Sequence, residues 1–171
     1  MEVLHGLEAD IALLVMGIRG ENTAQIGSHV ANVVRTLPRP ILVTPSTFTA
    51  PESFMIAFDG SMRLSQGVAM LANSPLFKGL PAHLVMVGAE TAEAWAMLDA
   101  AGATLSAAGH RTSLTLLPGE VVPALTAYQA SQGIDVLVMG VYGHSRIRQF
   151  LHGSTTTTLL RTASAPLLLL H

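Results

Sequence analysis

Residues 135–143, Asp-Val-Leu-Val-Met-Gly-Val-Tyr-Gly, carry a short unbroken apolar run into a pair of glycines, and Gly153-Ser154 then opens a segment of helical composition. An apolar run without polar alternation is a strand covered on both faces, the mark of a parallel sheet held between helices. The pattern occurs twice. Val15-Met16-Gly17-Ile18-Arg19-Gly20 recurs as Val138-Met139-Gly140-Val141-Tyr142-Gly143, an offset of 123. Gly27-Ser28, Arg35-Thr36 and Pro40-Ile41-Leu42 recur as Gly153-Ser154, Arg161-Thr162 and Pro166-Leu167-Leu168 at an offset of 126. Each copy reads as a strand (Ile11 to Met16; Val136 to Met139), a Gly-rich loop, a helix opening at Gly-Ser, and a second strand after Pro (Ile41 to Thr44; Leu167 to Leu170). This is a repeated βαβ unit.

Between the copies lie the other elements of such a sheet. Phe54 to Phe58, His83 to Val87 and Ser113 to Leu117 read as strands, and Leu64 to Leu76, Glu90 to Ala108 and Glu120 to Ser131 as helices, with Pro118-Gly119 and Gly133 as stops. The expected fold is therefore α/β: a doubly wound five-stranded parallel sheet flanked by helices over residues 54–171. A partial βαβ unit over 1–46 precedes it, joined by a linker over 47–53 whose turn formers show no periodicity. Too few residues precede Val15 for the first unit to be complete.

Composition narrows the classes of function. Half the residues are apolar, 12% are charged and the formal net charge is −2, with no basic stripe to neutralise a phosphate backbone, so nucleic acid is not an expected partner. No apolar run approaches the roughly 20 residues needed to cross a bilayer. Glu2 follows Met1 where a secretory signal has a basic region, and the chain has no cysteine, so disulfides and Cys-ligated zinc are excluded and a cytoplasmic location is expected.

The chemistry concentrates in the second Gly-rich loop. Open parallel sheets bind ligands outside the carboxyl ends of their strands, where strand order reverses. Asp59 ends the first strand of the complete domain and Gly140 ends the fourth, so neighbouring strands would set a carboxylate against a Gly-rich loop. Gly140, Gly143 and Gly153 would let backbone approach an anion, and the helix start at Ser154 offers unpaired N–H groups. Thr155 to Thr158 place four β-branched residues in a first helical turn, each a poor helix former. Hydroxyls there suit phosphate oxygens, although a solvated helix face would look the same. Asp59-Gly60 taken alone is an ordinary turn.

Other motifs are missing. The only lysine, Lys78, sits in Leu-Phe-Lys-Gly, so there is no Walker loop. Neither Gly-x-Gly-x-x-Gly nor Gly-x-Ser-x-Gly occurs, and the seven His show no metal-ligand spacing. His144, His152, Arg146 and Arg148 lie in the long loop, where Arg is better suited to phosphate than His is.

Gly140-x-x-Gly143-x9-Gly153-Ser154, preceded by Asp135-Val-Leu-Val-Met and followed by Ala165-Pro166-Leu-Leu-Leu, resembles the nucleotide-binding signature of the universal stress protein family. Phe58-Asp59-Gly60-Ser61 resembles that family's first-strand motif. The resemblance covers residues 54–171, and the first copy resembles the last third of a second such domain. It implies binding of ATP or a related adenine nucleotide, with or without Mg. Ala57, Phe58, Asp59 and Val87 would then lie on the adenine and ribose side, and Met139 and Gly140 would flank the nucleoside. Gly143 and Gly153 would admit the phosphates, which Ser154, Thr155 and Thr156 would bind. The first copy lacks counterparts of Asp59 and Val87 and is not expected to bind. The implied role is a stress-response regulatory module rather than an enzyme, the alternative being a dimerisation module that binds no nucleotide. A homodimer is expected, because a βαβ unit this short leaves strand edges uncovered. Its last strand is expected to pair with that of a complete domain, in its own chain or a neighbour's.

Overall fold

The computed structural model describes residues 12–17, 33, 36–47, 49–140 and 165–171. All seven expected strands are present in one sheet: β1 (Leu14–Gly17), β2 (Ile41–Thr44), β3 (Phe54–Ala57), β4 (Ala82–Val87), β5 (Thr112–Leu117), β6 (Val136–Gly140) and β7 (Leu167–Leu170). Among the described residues three helices alternate with them, α1 (Met62–Ala72), α2 (Ala92–Ala107) and α3 (Val121–Gln132). The expected helices after Gly27-Ser28 and Gly153-Ser154 fall largely or wholly outside the described residues.

Sheet order is β1-β2-β7-β6-β3-β4-β5. The five parallel strands expected of residues 54–171 form β7-β6-β3-β4-β5, and the sheet continues through β2 and β1. The join is antiparallel, with Ile41 opposite Leu169, Leu42 opposite Leu168 and Val43 opposite Leu167. Of the two pairings open for the last strand of the first unit, the chain adopts the one within itself. The carboxyl ends of β1 and β2 consequently point to the opposite edge of the sheet from those of β3 to β7.

Strand residues alternate between two cores, as the pleat requires. Met55, Ala57, Val85, Leu137, Met139, Leu167 and Leu169 face one side, where Leu125 of α3 joins them. Phe54, Ile56, Phe58, Leu84, Met86, Val136, Val138, Leu168 and Leu170 face the other, under α1 and α2. On that second face Phe54 is fully buried, its ring 4.8 Å from that of Phe77 and edge-on to His110 at 5.5 Å. On the first face, the Tyr128 hydroxyl lies 3.1 Å from both His83 Nδ1 and Thr115 Oγ1, tying α3 to β4 and β5. Burial holds the His83 imidazole below its usual pKa. The stability this contributes is complete above the unfolded value and is lost as pH falls through the lower folded one.

Caps explain where the helices depart from expectation. Ser61 accepts the Leu64 N–H at 3.2 Å and starts α1 two residues before Leu64. At the other end Asn73 closes it, ahead of Ser74-Pro75, where proline disfavours helical backbone. Thr91 caps α2 through the Ala94 N–H at 3.1 Å, so the helix begins at Ala92 rather than Glu90. Gly133, with φ 62°, ends α3 in the left-handed conformation that its missing Cβ permits.

Candidate functional site

The order of strands reverses at β3. From there the chain builds outward through β4 and β5, then returns to lay β6 and β7 on the other flank. β3 and β6 are direct neighbours, Ala57 opposite Met139, so residues 58–60 and Gly140 emerge side by side at the carboxyl edge. The juxtaposition of Asp59 with Gly140 expected of neighbouring strand ends is thus present. β4 ends beside them, since Val85 pairs with Ala57 and the Phe58 N–H donates to the Val85 carbonyl at 2.8 Å. Val87 is therefore also at this edge.

The expected residues divide by burial. Ala57, Phe58 and Met139 are buried at 2%, 3% and 6% exposure, with side chains in the two cores. They offer the crevice backbone and a rigid floor. Asp59, Val87 and Gly140 are half-buried and form the accessible rim. Gly143, Gly153, Ser154, Thr155 and Thr156 lie outside the described residues, as do His144, Arg146, Arg148 and His152.

Asp59 serves the turn it sits in. Its Oδ1 accepts the Ser61 N–H at 2.9 Å, which helps close the bend into α1. Gly60 takes φ +73°, and a Cβ there would lie 2.7 Å from Met97 Sδ. The bend is thereby seated on Met97 and Met86. At Gly140, among the described residues, a Cβ would have only Leu64 Cδ1 near it, at 3.9 Å.

Two residues that sequence reasoning missed also stand at this edge. His171 follows Leu170, which pairs with Gly140, and Arg63 lies in the first turn of α1. Burial, and after it the charge of Arg63, hold the His171 ring below its usual pKa.

The opposite edge holds different features. A cavity of about 390 Å³ is lined there by Pro45, Thr47, Thr126, Asp135 and Pro166 among others. Asp135 accepts the Glu52 N–H at 2.9 Å and the Ser53 hydroxyl at 3.0 Å, clamping the start of β6 to the segment entering β3. Its role is structural. Among the described residues no cluster of three or more His, Asp or Glu could hold a metal ion, and no helix is long and apolar enough to cross a membrane.

Residues 64–171 match the model of the universal stress protein family. A universal stress protein of Synechocystis sp. is 36% identical over 174 residues, an alignment taking in 98% of this chain and 61% of that protein. A universal stress protein structure from Archaeoglobus fulgidus superposes with a TM-score of 0.77 at 18% identity, covering 99% of this chain and 63% of the other. A universal stress protein in complex with cAMP superposes at 0.58 with 23% identity, covering 72% of this chain and 98% of the other. At those identities the two structures establish a shared fold, while this chain spans about three fifths of the first two relatives. On the family match over residues 64–171, more than half of its length, the chain belongs to the universal stress protein family.

Proposed function

We propose that the chain binds ATP or a related adenine nucleotide at the carboxyl edge between β3 and β6, and acts as a stress-response regulatory module whose occupancy a partner reads. The observation that carries this reading is the register of Ala57 with Met139 at the point where strand order reverses. It brings a half-buried carboxylate beside a glycine, in the place where open α/β sheets take their ligands. Binding of cAMP by a relative of the same fold is consistent with it. In this arrangement Asp59 would accept hydroxyl groups of the ribose and Val87 would face the adenine. The Gly140 backbone would approach the nucleoside, and the glycines and hydroxyls of residues 143–156 would meet the phosphates. Mg would be held by those phosphates. The role proposed is binding, not turnover, because Asp59, the carboxylate at the crevice, is also committed to the Ser61 N–H.

A homodimer is part of the proposal. Among the described residues β1 has a strand neighbour on its β2 side alone, and Val15 on it is 57% exposed. Such an edge carries unpaired backbone groups that a second chain would cover. Residues 1–46 are read as the last strand-helix-strand of a first domain, followed by the linker over 47–53 and the complete domain over 54–171.

The bond from Ser61 to Asp59 favours a second reading, in which Asp59 only closes its turn and the fold serves dimerisation alone. Replacing Asp59 separates the two. Asp59→Ala is expected to weaken ATP binding about tenfold through loss of one ionic hydrogen-bond acceptor. It is expected to lower stability by about 1 kcal/mol through loss of the turn contact. Calorimetric titration beside thermal denaturation reads both, and equal ATP affinity in the wild type and the folded variant would remove Asp59 from the site.

A further inference from the structure

Gly60 stands between Asp59, the carboxylate of the rim, and Ser61, the cap of α1, and the bend turns on it at φ +73°. A Cβ on Gly60 would lie 2.7 Å from Met97 Sδ, 3.2 Å from Met97 Cε and 3.7 Å from Met86 Cε. The thioether carried by α2 therefore covers the side of Gly60 where a side chain would stand, with no room for a methyl group between them. Two bonds flank this contact. Asp59 Oδ1 accepts the Ser61 N–H, and the Ser61 hydroxyl accepts the Leu64 N–H.

The two thioethers at the bend differ in access. Met86 is 8% exposed and Met97 is 39% exposed. Ala94 and Ala101, one helical turn to either side of Met97, are buried, so Met97 stands where the buried stripe of α2 meets solvent. Met62 and Met70 are also exposed, while Met55 and Met139 are buried. Of the three exposed methionines, Met97 has its sulfur against Gly60. An oxidised sulfur does not suit that seat, because a sulfoxide is polar and chiral and disrupts apolar contacts that a thioether fills. The added oxygen either enters a contact with no space for it or draws the side chain out to water, which uncovers Gly60. Both loosen the bend.

We propose that Met97 is an oxidant-sensitive modification site, where a peroxide converts the thioether to the sulfoxide, loosens the bend at residues 59–61 and lowers the affinity of the adjoining site for its ligand. The loss of ligand rests on the nucleotide reading above; the modification and the loosening do not. In the step itself a sulfur lone pair attacks one oxygen of hydrogen peroxide and the O–O bond breaks. Sulfur is oxidised by two electrons, and the departing hydroxide takes the proton of the transferred oxygen and leaves as water. Sulfoxide reductases return the group to the thioether, so the change is reversible.

The test treats the full chain and Met97→Leu with hydrogen peroxide. Peptide mass mapping follows Met97, hydrogen exchange follows the Ser61 amide, and calorimetric titration follows ATP. Leucine is nearly isosteric with methionine and has no sulfur to oxidise. In the wild type Met97 is expected to gain one oxygen, the Ser61 amide to exchange about tenfold faster and the Kd for ATP to rise about fivefold, changes of the order that one lost packing contact gives. Reductase treatment is expected to reverse both. Treated Met97→Leu is expected to stay within about twofold of its untreated values, and a chain carrying Met62→Leu and Met70→Leu to respond as the wild type does. Met97 that stays reduced while Met62 and Met70 are oxidised overturns the inference, as does Ser61 exchange that oxidation of Met97 leaves unchanged, or a Met97→Leu chain as sensitive as the wild type. Faster exchange with unchanged ATP affinity overturns the link to the ligand. A reduced chain that takes up no ATP overturns the nucleotide reading instead, and Ser61 exchange still decides the modification.

Discussion

Gly140→Val is expected to fold like the wild type and to bind ATP about a hundredfold more weakly, the loss that follows from displacing two or more ionic hydrogen bonds. The structure separates the two effects. Among the described residues the nearest atom to that Cβ is Leu64 Cδ1, at an ordinary 3.9 Å, and a β-branched residue suits a strand end. Folding therefore has little to lose. The γ-methyl groups would extend into the crevice between the end of β6 and the first turn of α1, where ligand is proposed to lie against backbone. Titration calorimetry beside circular dichroism melting reads affinity and stability together. ATP affinity within about twofold of wild type, far below a hundredfold loss, would mean that ligand does not approach Gly140. Gly153→Val, at a position that motif spacing alone assigns to the phosphates, is expected to remove ATP binding, read by the same titration.

Phe54→Ala is expected to cost about 3–5 kcal/mol, measured as a shift in the urea midpoint, a large fraction of the 5–15 kcal/mol typical of whole domains. Phe54 is 0% exposed and begins β3, the central strand of the complete domain. Its ring contacts Phe77 at 4.8 Å and His110 at 5.5 Å, three side chains that arrive from separate parts of the chain. The His110 imidazole is itself held, with Nδ1 2.9 Å from the Leu80 carbonyl oxygen and Nε2 3.4 Å from that of Ala72. Such a neighbourhood cannot collapse easily into the space a phenyl ring leaves, so the cavity would persist. A cost below about 1 kcal/mol would show that the site closes over the deletion, contrary to this packing.

Strand positions were legible because burial on both faces writes itself into sequence as short apolar runs, and Gly and Pro punctuate them. The repeat of Val15-Met16-Gly17 at Val138-Met139-Gly140 carried the rest, since it fixed what the first unit corresponds to. Helix ends were less legible. α2 begins at Ala92 because the Thr91 hydroxyl accepts an amide, and composition around Glu90 does not reveal which of several polar residues caps. Partner choice for β2 was open in the sequence, because antiparallel pairing with β7 buries the same leucines whether the two strands share a chain or not.

The site shows the same division. Asp59 and Gly140 were legible as strand-end residues at a switch point. That Ala57, Phe58 and Met139 give their side chains to the cores was not, because that depends on which face each one takes. Arg63 carried no signal of its own.

Native mass spectrometry of the purified full chain, followed by release and identification of its small molecules, tests the adenine-nucleotide assignment most directly. One spectrum reports both assembly and occupancy. The expected result is a dimer carrying an adenine nucleotide, or one that gains the mass of ATP when it is added, with the gain lost in Gly140→Val. A chain that releases no adenine nucleotide and takes up none from added ATP would contradict the assignment.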